Sequence, residues 1–143
     1  MFEPLMILAL AAAPQVMPLP APREVPSERL ANYWIMDQSA VAGDVPNSAR
    51  GIDVPGCAAV SFVVEKNGTT SQVRVRRVEP AGDFGPIAES IAAGLRFDPT
   101  PFNAGRERVF SWLIFPFNLP ADETARAAVM QRCVVHDLHL GDE

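Results

Sequence analysis

"FVVEKNGTTSQVRV", Phe62–Val75, decides the fold. Two Val-rich runs flank Lys66-Asn67-Gly68-Thr69. An Asn-Gly pair supplies the two positive-φ positions that tight hairpin turns use, so the stretch predicts a β-hairpin with Asn67 and Gly68 at its tip. Before the turn, Cys57 to Lys66 alternates with period 2: Ala58, Val60, Phe62 and Val64 share one face, and Ala59, Ser61, Val63 and Glu65 the other. After it, Thr70 to Glu79 places Val73 and Val75 against Gln72, Arg74 and Arg76. Val78 is out of phase with Val75, which predicts a β-bulge near Arg76-Arg77.

The period then changes. Phe84, Ile87, Ala88, Ile91, Ala92 and Leu95 form a single stripe at helical spacing. Asp83 is the candidate N-cap, Pro86 fits a first turn, and Asp98-Pro99 ends the segment. Small Ala88 and Ala92 allow close approach to a sheet. Arg106 to Leu119 reads as a third strand, apolar on both faces: Val109, Leu113, Phe115 and Phe117 on one, Phe110, Trp112 and Ile114 on the other. One face covers the helix; the other needs a second cover from the Trp34 segment, the C-terminal tail or a partner chain. The fold class expected is α+β: a small antiparallel three-stranded sheet, hairpin plus third strand, packed against an amphipathic helix, with extra N- and C-terminal helices. The N-terminal helix is placed at Ser27 to Asp37 and the C-terminal one at Asp122 to Cys133, with a single turn around Pro46 to Arg50. Val134 to Leu140 reads as a short strand or an irregular tail.

At the N-terminus, Leu5 to Ala13 is an apolar run of 9 residues ending in three alanines. It is short of the roughly 20 residues that span a bilayer and fits a signal-peptide core with a small-residue cleavage site. Pro14 to Pro26 is a Pro-rich linker of extended character. The chain thus divides into a signal-peptide-like segment (1–13), the linker (14–26), an N-terminal helix and loop (27–44), a central domain (45–119) and a C-terminal helical tail (120–143). Export, with a periplasmic location, is the expectation; membrane association follows if the N-terminal segment is retained.

The 143-residue chain carries a net charge of −5, which argues against a nucleic-acid partner held by phosphate contacts. Arg74, Arg76 and Arg77 form only a local basic cluster beside Arg106 and Arg108. No residue set points to an enzyme. His136, Asp137 and His139 lack a third rigid metal ligand, "AGDFG" lacks the phosphate-loop lysine, and Cys57 has no nucleophile motif around it. No catalytic residue, metal ligand or cofactor is assigned. In an exported chain Cys57 and Cys133 either pair as a disulfide or remain two buried or unpaired thiols; pairing depends on a Cα separation that sequence does not give.

The order of elements resembles the C-terminal domain of the TonB family of periplasmic energy transducers. Val45-Pro46 with Ala49 stands where the family has Tyr-Pro and a short helix, and Pro55-Gly56 where it has Glu-Gly. "AVSFVVEKNGTTSQVRVRRVEPAGDF" matches its strand, turn, strand and loop. "IAESIAAGLRFDP" matches its helix and aromatic-x-Pro step, and "RVFSWLIFPFNL" its final strand. The resemblance covers roughly residues 45 to 119. It implies a protein-binding module that engages an extended partner segment, such as one from an outer-membrane receptor, by strand addition in TonB-dependent transmembrane transport. By the same resemblance, partner binding falls to Arg108, Val109, Phe110, Ser111, Trp112, Leu113, Ile114 and Phe115. The same strand also invites a homodimer; an orphan periplasmic structural domain without a transport role, or a small enzyme, are the alternatives.

Overall fold

The structure is a computed structural model that describes residues 9–15, 17–43 and 51–142. Most of the signal-like run, Val45-Pro46 with Ala49, and the turn expected around Pro46 to Arg50 lie outside the described residues. Six strands and two α-helices are described: β1 Arg23–Glu24, β2 Trp34–Met36, β3 Gly56–Val64, β4 Thr70–Glu79, α1 Phe84–Gly94, β5 Phe97–Pro99, β6 Val109–Phe117 and α2 Glu123–Gln131. The fold is α+β. Its main sheet has four strands, not three, in the order β1-β6-β3-β4; β2 and β5 form a separate antiparallel pair. The extra strand, β1, runs parallel to β6, so the sheet is mixed.

The β3–β4 hairpin is present, but its turn differs from the expectation. The Gly68 N–H donates to the Glu65 carbonyl (2.8 Å) and the Glu65 N–H to the Thr69 carbonyl (2.8 Å). Gly68 alone takes a positive φ, 81°; Asn67 does not. This is a three-residue loop closed by a glycine bulge, the next most common hairpin closure after two-residue turns. Asn67 stabilises it through its side chain, whose Oδ1 accepts from the Thr69 N–H (3.1 Å) and hydroxyl (2.7 Å). Gly68 also touches the rest of the fold: its carbonyl accepts from the Phe97 N–H (2.9 Å), and a Cβ there would strike the Phe97 carbonyl.

β4 shifts register against β3 twice, between Ala59 and Val60 and between Ser61 and Val63. The first shift is the expected bulge, with Arg76 the extra residue. The second involves Gln72, at φ 51°. Together they return Val73, Val75 and Val78 to one face, where they join Ala58, Val60, Phe62, Val64, Ala88, Ala92 and Leu95 in the main core. α1 lies across β3 and β4 there, and Phe84 stacks on Phe117 with ring centres 4.5 Å apart.

The N-terminal segment is not one helix. A 3₁₀ helix spans Ser27–Asn32, and the chain then straightens into β2, paired with β5 through Trp34↔Pro99 and Met36↔Phe97. Long-range contacts decide this. Trp34 is 1% exposed, and its indole N–H donates to the Glu107 carbonyl (2.9 Å). The C-terminal helix forms where expected, with Asp122 capping it by accepting from the Ala125 N–H (2.9 Å). Beyond it the tail is irregular, and Val135, Leu138 and Leu140 cover Val63, Phe110 and Trp112 on the second face of the sheet. A disulfide joins Cys57 on β3 to Cys133 at the start of that tail, Cα atoms 6.1 Å apart.

Candidate functional site

The strand singled out by sequence, β6, pairs with β3 in an unbroken register from Val64↔Val109 to Gly56↔Phe117. Its side chains alternate. Val109, Ser111, Leu113, Phe115 and Phe117 face the α1 side, and Phe110, Trp112 and Ile114 face the tail side. Its backbone alternates too. The Arg108 and Phe110 carbonyls accept from the Arg23 and Val25 N–H groups, both at 2.9 Å. Even-numbered residues therefore direct their backbone outward, away from β3, and odd-numbered residues direct theirs into the β3 ladder.

This parity divides the predicted binding residues. Val109, Phe110 and Ser111 are 0% exposed and belong to the interior. β1 covers the outer groups of Arg108 and Phe110, then ends at Pro26, which has no N–H. Past that point β1 no longer pairs with β6, although the 3₁₀ helix Ser27–Asn32 packs beside the strand and Trp112 is only 6% exposed. The backbone groups of Trp112 and Ile114 and the carbonyl of Pro116 have no hydrogen-bond partner among the described residues. Pro116 sits at an outward position, where its missing N–H costs the sheet nothing.

Arg108 has a structural task. Its Nε donates to Glu65 Oε2 (2.6 Å), one terminal nitrogen to Glu65 Oε1 (3.0 Å), and the other to the Pro20 carbonyl (3.1 Å). This fork holds the Glu65 carboxyl below the usual carboxylate range, against the opposing effect of burial. It ties the hairpin to the start of β6. Ser111 is the exception inside: its hydroxyl is buried, without a partner among the described residues.

β1 is held at its ends by ion pairs. Arg23 Nε donates to Glu107 Oε1 (2.9 Å). Glu24 bonds His139 Nδ1 (2.7 Å) and accepts from the Leu140 N–H (3.0 Å). The Glu24 contact pushes the His139 pKa up, and the same bond pulls Glu24 down. His139 therefore binds the tail to β1. Two arginines of the basic cluster are engaged as well. Arg74 and Arg76 donate to the Asp142 carbonyl, Arg76 Nε donates to the Ser61 hydroxyl (2.7 Å), and its guanidinium lies 6.0 Å from the Phe110 ring centre. These side chains fasten the tail.

Two small cavities flank the open edge. On the α1 side, an open cleft of about 250 Å³ is lined by Leu30, Ala31, Trp34, Ile35, Met36, Phe97 and Leu113 together with Ser27 and Gln38. On the tail side, about 190 Å³ lies among Glu24, Val25, Pro26, Trp112, Asp137, Leu138 and His139. Both fall below the roughly 300–1,000 Å³ typical of small-molecule sites. Among the described residues no three His, Cys, Asp or Glu side chains are placed to hold a metal, and both cysteines are taken up in the disulfide. Nor is any helix of the described residues long and apolar enough to cross a membrane.

No family model matches the sequence, and no curated protein does. Among solved structures, the chain is similar to the Pseudomonas aeruginosa TonB C-terminal domain, with 17% identity and a TM-score of 0.46 over 63% of this chain and 90% of that one.

The opposite edge of the sheet, β4, is interrupted by its two register shifts, which twist an edge and spoil it as a template. The β6 edge has no such break. The side of β6 that stays open was not readable from its own residues, because it depends on where Arg23–Glu24 lies. The walls from Leu30, Trp34, Met36 and Phe97 were not foreseen either. Their signal, the aromatic cluster in "LANYWIM", falls within Ser27 to Asp37, where the sequence predicts a helix and the structure has a 3₁₀ helix followed by β2.

Proposed function

We propose that this chain is a non-enzymatic protein-binding module that takes an extended segment of a partner as an added strand on the outer edge of β6. The observation that supports it is the set of outward backbone groups at Trp112, Ile114 and Pro116, unpaired among the described residues, on a strand otherwise fully registered with β3. Backbone pairing supplies affinity in such complexes, and flanking pockets supply selectivity. The β4 edge, with its bulges, is the weaker template.

The finer reading follows the sequence resemblance. The module works in the periplasm, on a segment of an outer-membrane receptor, in TonB-dependent transport. Dimerisation through the same edge is the competing use of the same groups.

The test is a proline at an outward position. Ile114→Pro removes one outer N–H and leaves the β3 ladder its donors, whereas proline at 109 or 111 would break that ladder. With folding verified by circular dichroism, Ile114→Pro should lose capture of an extended receptor-derived peptide. Retention of binding at parental affinity would refute strand addition here.

A further inference from the structure

Resting on the strand-addition reading, we infer that the two cavities beside the open edge select the partner: it carries an aliphatic side chain opposite Leu113 and a basic one opposite Trp112. Residues directly opposite on neighbouring strands share a face of the sheet, whichever way the added strand runs. A residue placed opposite Leu113 thus enters the α1-side cavity, and its two neighbours lie on the tail side.

The α1-side cavity is lined mainly by apolar side chains, Leu30, Trp34, Met36, Phe97 and Leu113 among them, with Ser27 and Gln38, and no ionisable side chain of the described residues borders it. Its volume of about 250 Å³ admits one side chain and is too small for an independent ligand. A charged side chain entering it would lose its hydration with no counter-charge, a costly exchange. Leu, Ile or Met would bury apolar surface instead.

The tail-side cavity has the opposite character. Glu24 and Asp137 border it with His139, around the flat wall of Trp112. Of the arginines on this face, Arg74 and Arg76 hydrogen-bond the Asp142 carbonyl, and Arg76 that of His139 as well, and among the described residues no arginine lines the cavity. A lysine or arginine here meets the Asp137 carboxylate and that of Glu24, which His139 shares, beside Trp112. An acidic residue meets repulsion.

The probe is the pentapeptide acetyl-Thr-Lys-Leu-Lys-Thr-amide. Its palindromic order makes the expectation independent of strand direction. Titrated into ¹⁵N-labelled full chain, it should shift the Trp112 and Ile114 amides. Replacing its leucine by aspartate should weaken binding at least tenfold, and replacing both lysines by glutamate severalfold. Ala31→Leu, at an exposed position on the cavity wall, should fill the cavity and weaken the parent peptide without unfolding the chain. Equal affinity of all three peptides, with the Trp112 and Ile114 shifts intact, would overturn the side-chain selection and leave strand addition standing. Absence of those shifts with every peptide at millimolar concentration would overturn both.

Discussion

Replacing Cys57 and Cys133 together by alanine tests how the tail is held. The bond closes a loop of 76 residues. Chain entropy released to the unfolded state on removing such a cross-link corresponds to roughly 4.5 kcal/mol at 25 °C, within a typical range of about 2–5 kcal/mol for native disulfides of small domains. Against total stabilities of about 5–15 kcal/mol, that is a large fraction. Both cysteines are 0% exposed, so deleting their sulfurs adds a cavity term of the same sign. Local consequences follow as well. Without the bond, the tail rests on Val135, Leu138 and Leu140, on the Arg74 and Arg76 hydrogen bonds, and on the bonds of Glu24 to His139 and Leu140. Its release would uncover Phe110, Trp112 and Val63. The assay is urea denaturation of parent and double variant, paired with binding of a hydrophobic dye to the folded state. The expected result is a loss of about 2–5 kcal/mol together with increased dye binding before the main transition. A loss below about 1 kcal/mol with unchanged dye binding would refute the reading of the disulfide as the clamp on this cover.

Other substitutions probe particular contacts. Gly56→Ala would place a Cβ 2.6 Å from the Glu79 carbonyl and 2.5 Å from the Phe84 ring; a loss of about 1–3 kcal/mol is expected from the denaturation midpoint, and an unchanged midpoint would contradict that packing. Ser111→Ala removes a buried hydroxyl without a partner among the described residues, so stability should stay level or rise, and a loss above about 1 kcal/mol would reveal a bond to that hydroxyl. The Glu24–His139 pair sets a pH window for β1. His139 is raised from 6.5 in the fold, so its contribution is full below 6.5 and lost as pH rises through the folded value. Glu24 is lowered from 4.5, so its contribution is full above 4.5 and lost as pH falls through its folded value. Protection of the Val25 amide, which pairs with Phe110, should peak between those limits after correction for intrinsic exchange; His139→Ala should flatten the profile, and a profile indifferent to that substitution would exclude the clamp.

The hairpin, α1 and α2 were legible because each declares itself locally. The period of 2 in "AAVSFVV", the Ile87-to-Leu95 stripe and the Asp122 cap need no distant partner. The bulge at Arg76 showed as a phase break for the same reason. β1, β2 and β5 have two or three residues each, too few for any period, and exist only through partners far along the chain: Arg23 with Glu107, Trp34 with Glu107 and Pro99. The glycine of the turn was readable, but its closure was not, since Gly68 also packs against Phe97. At the candidate site the strand was legible as doubly apolar. Its division into a covered half and an open half was not, because β1 comes from the Pro-rich segment, where extended conformation carries no pairing information.

Strand addition requires that the outward backbone groups of β6 from Trp112 to Pro116, unpaired among the described residues, be free to take a partner strand. Amide-resolved hydrogen exchange tests it directly, at low and high protein concentration. The Ile114 amide should exchange far faster than those of Ser111 and Leu113, which point into the β3 ladder, and should slow when an extended partner peptide is added. Protection of Ile114 equal to that of its inward neighbours in the dilute free protein would contradict it, since the edge would then already be occupied.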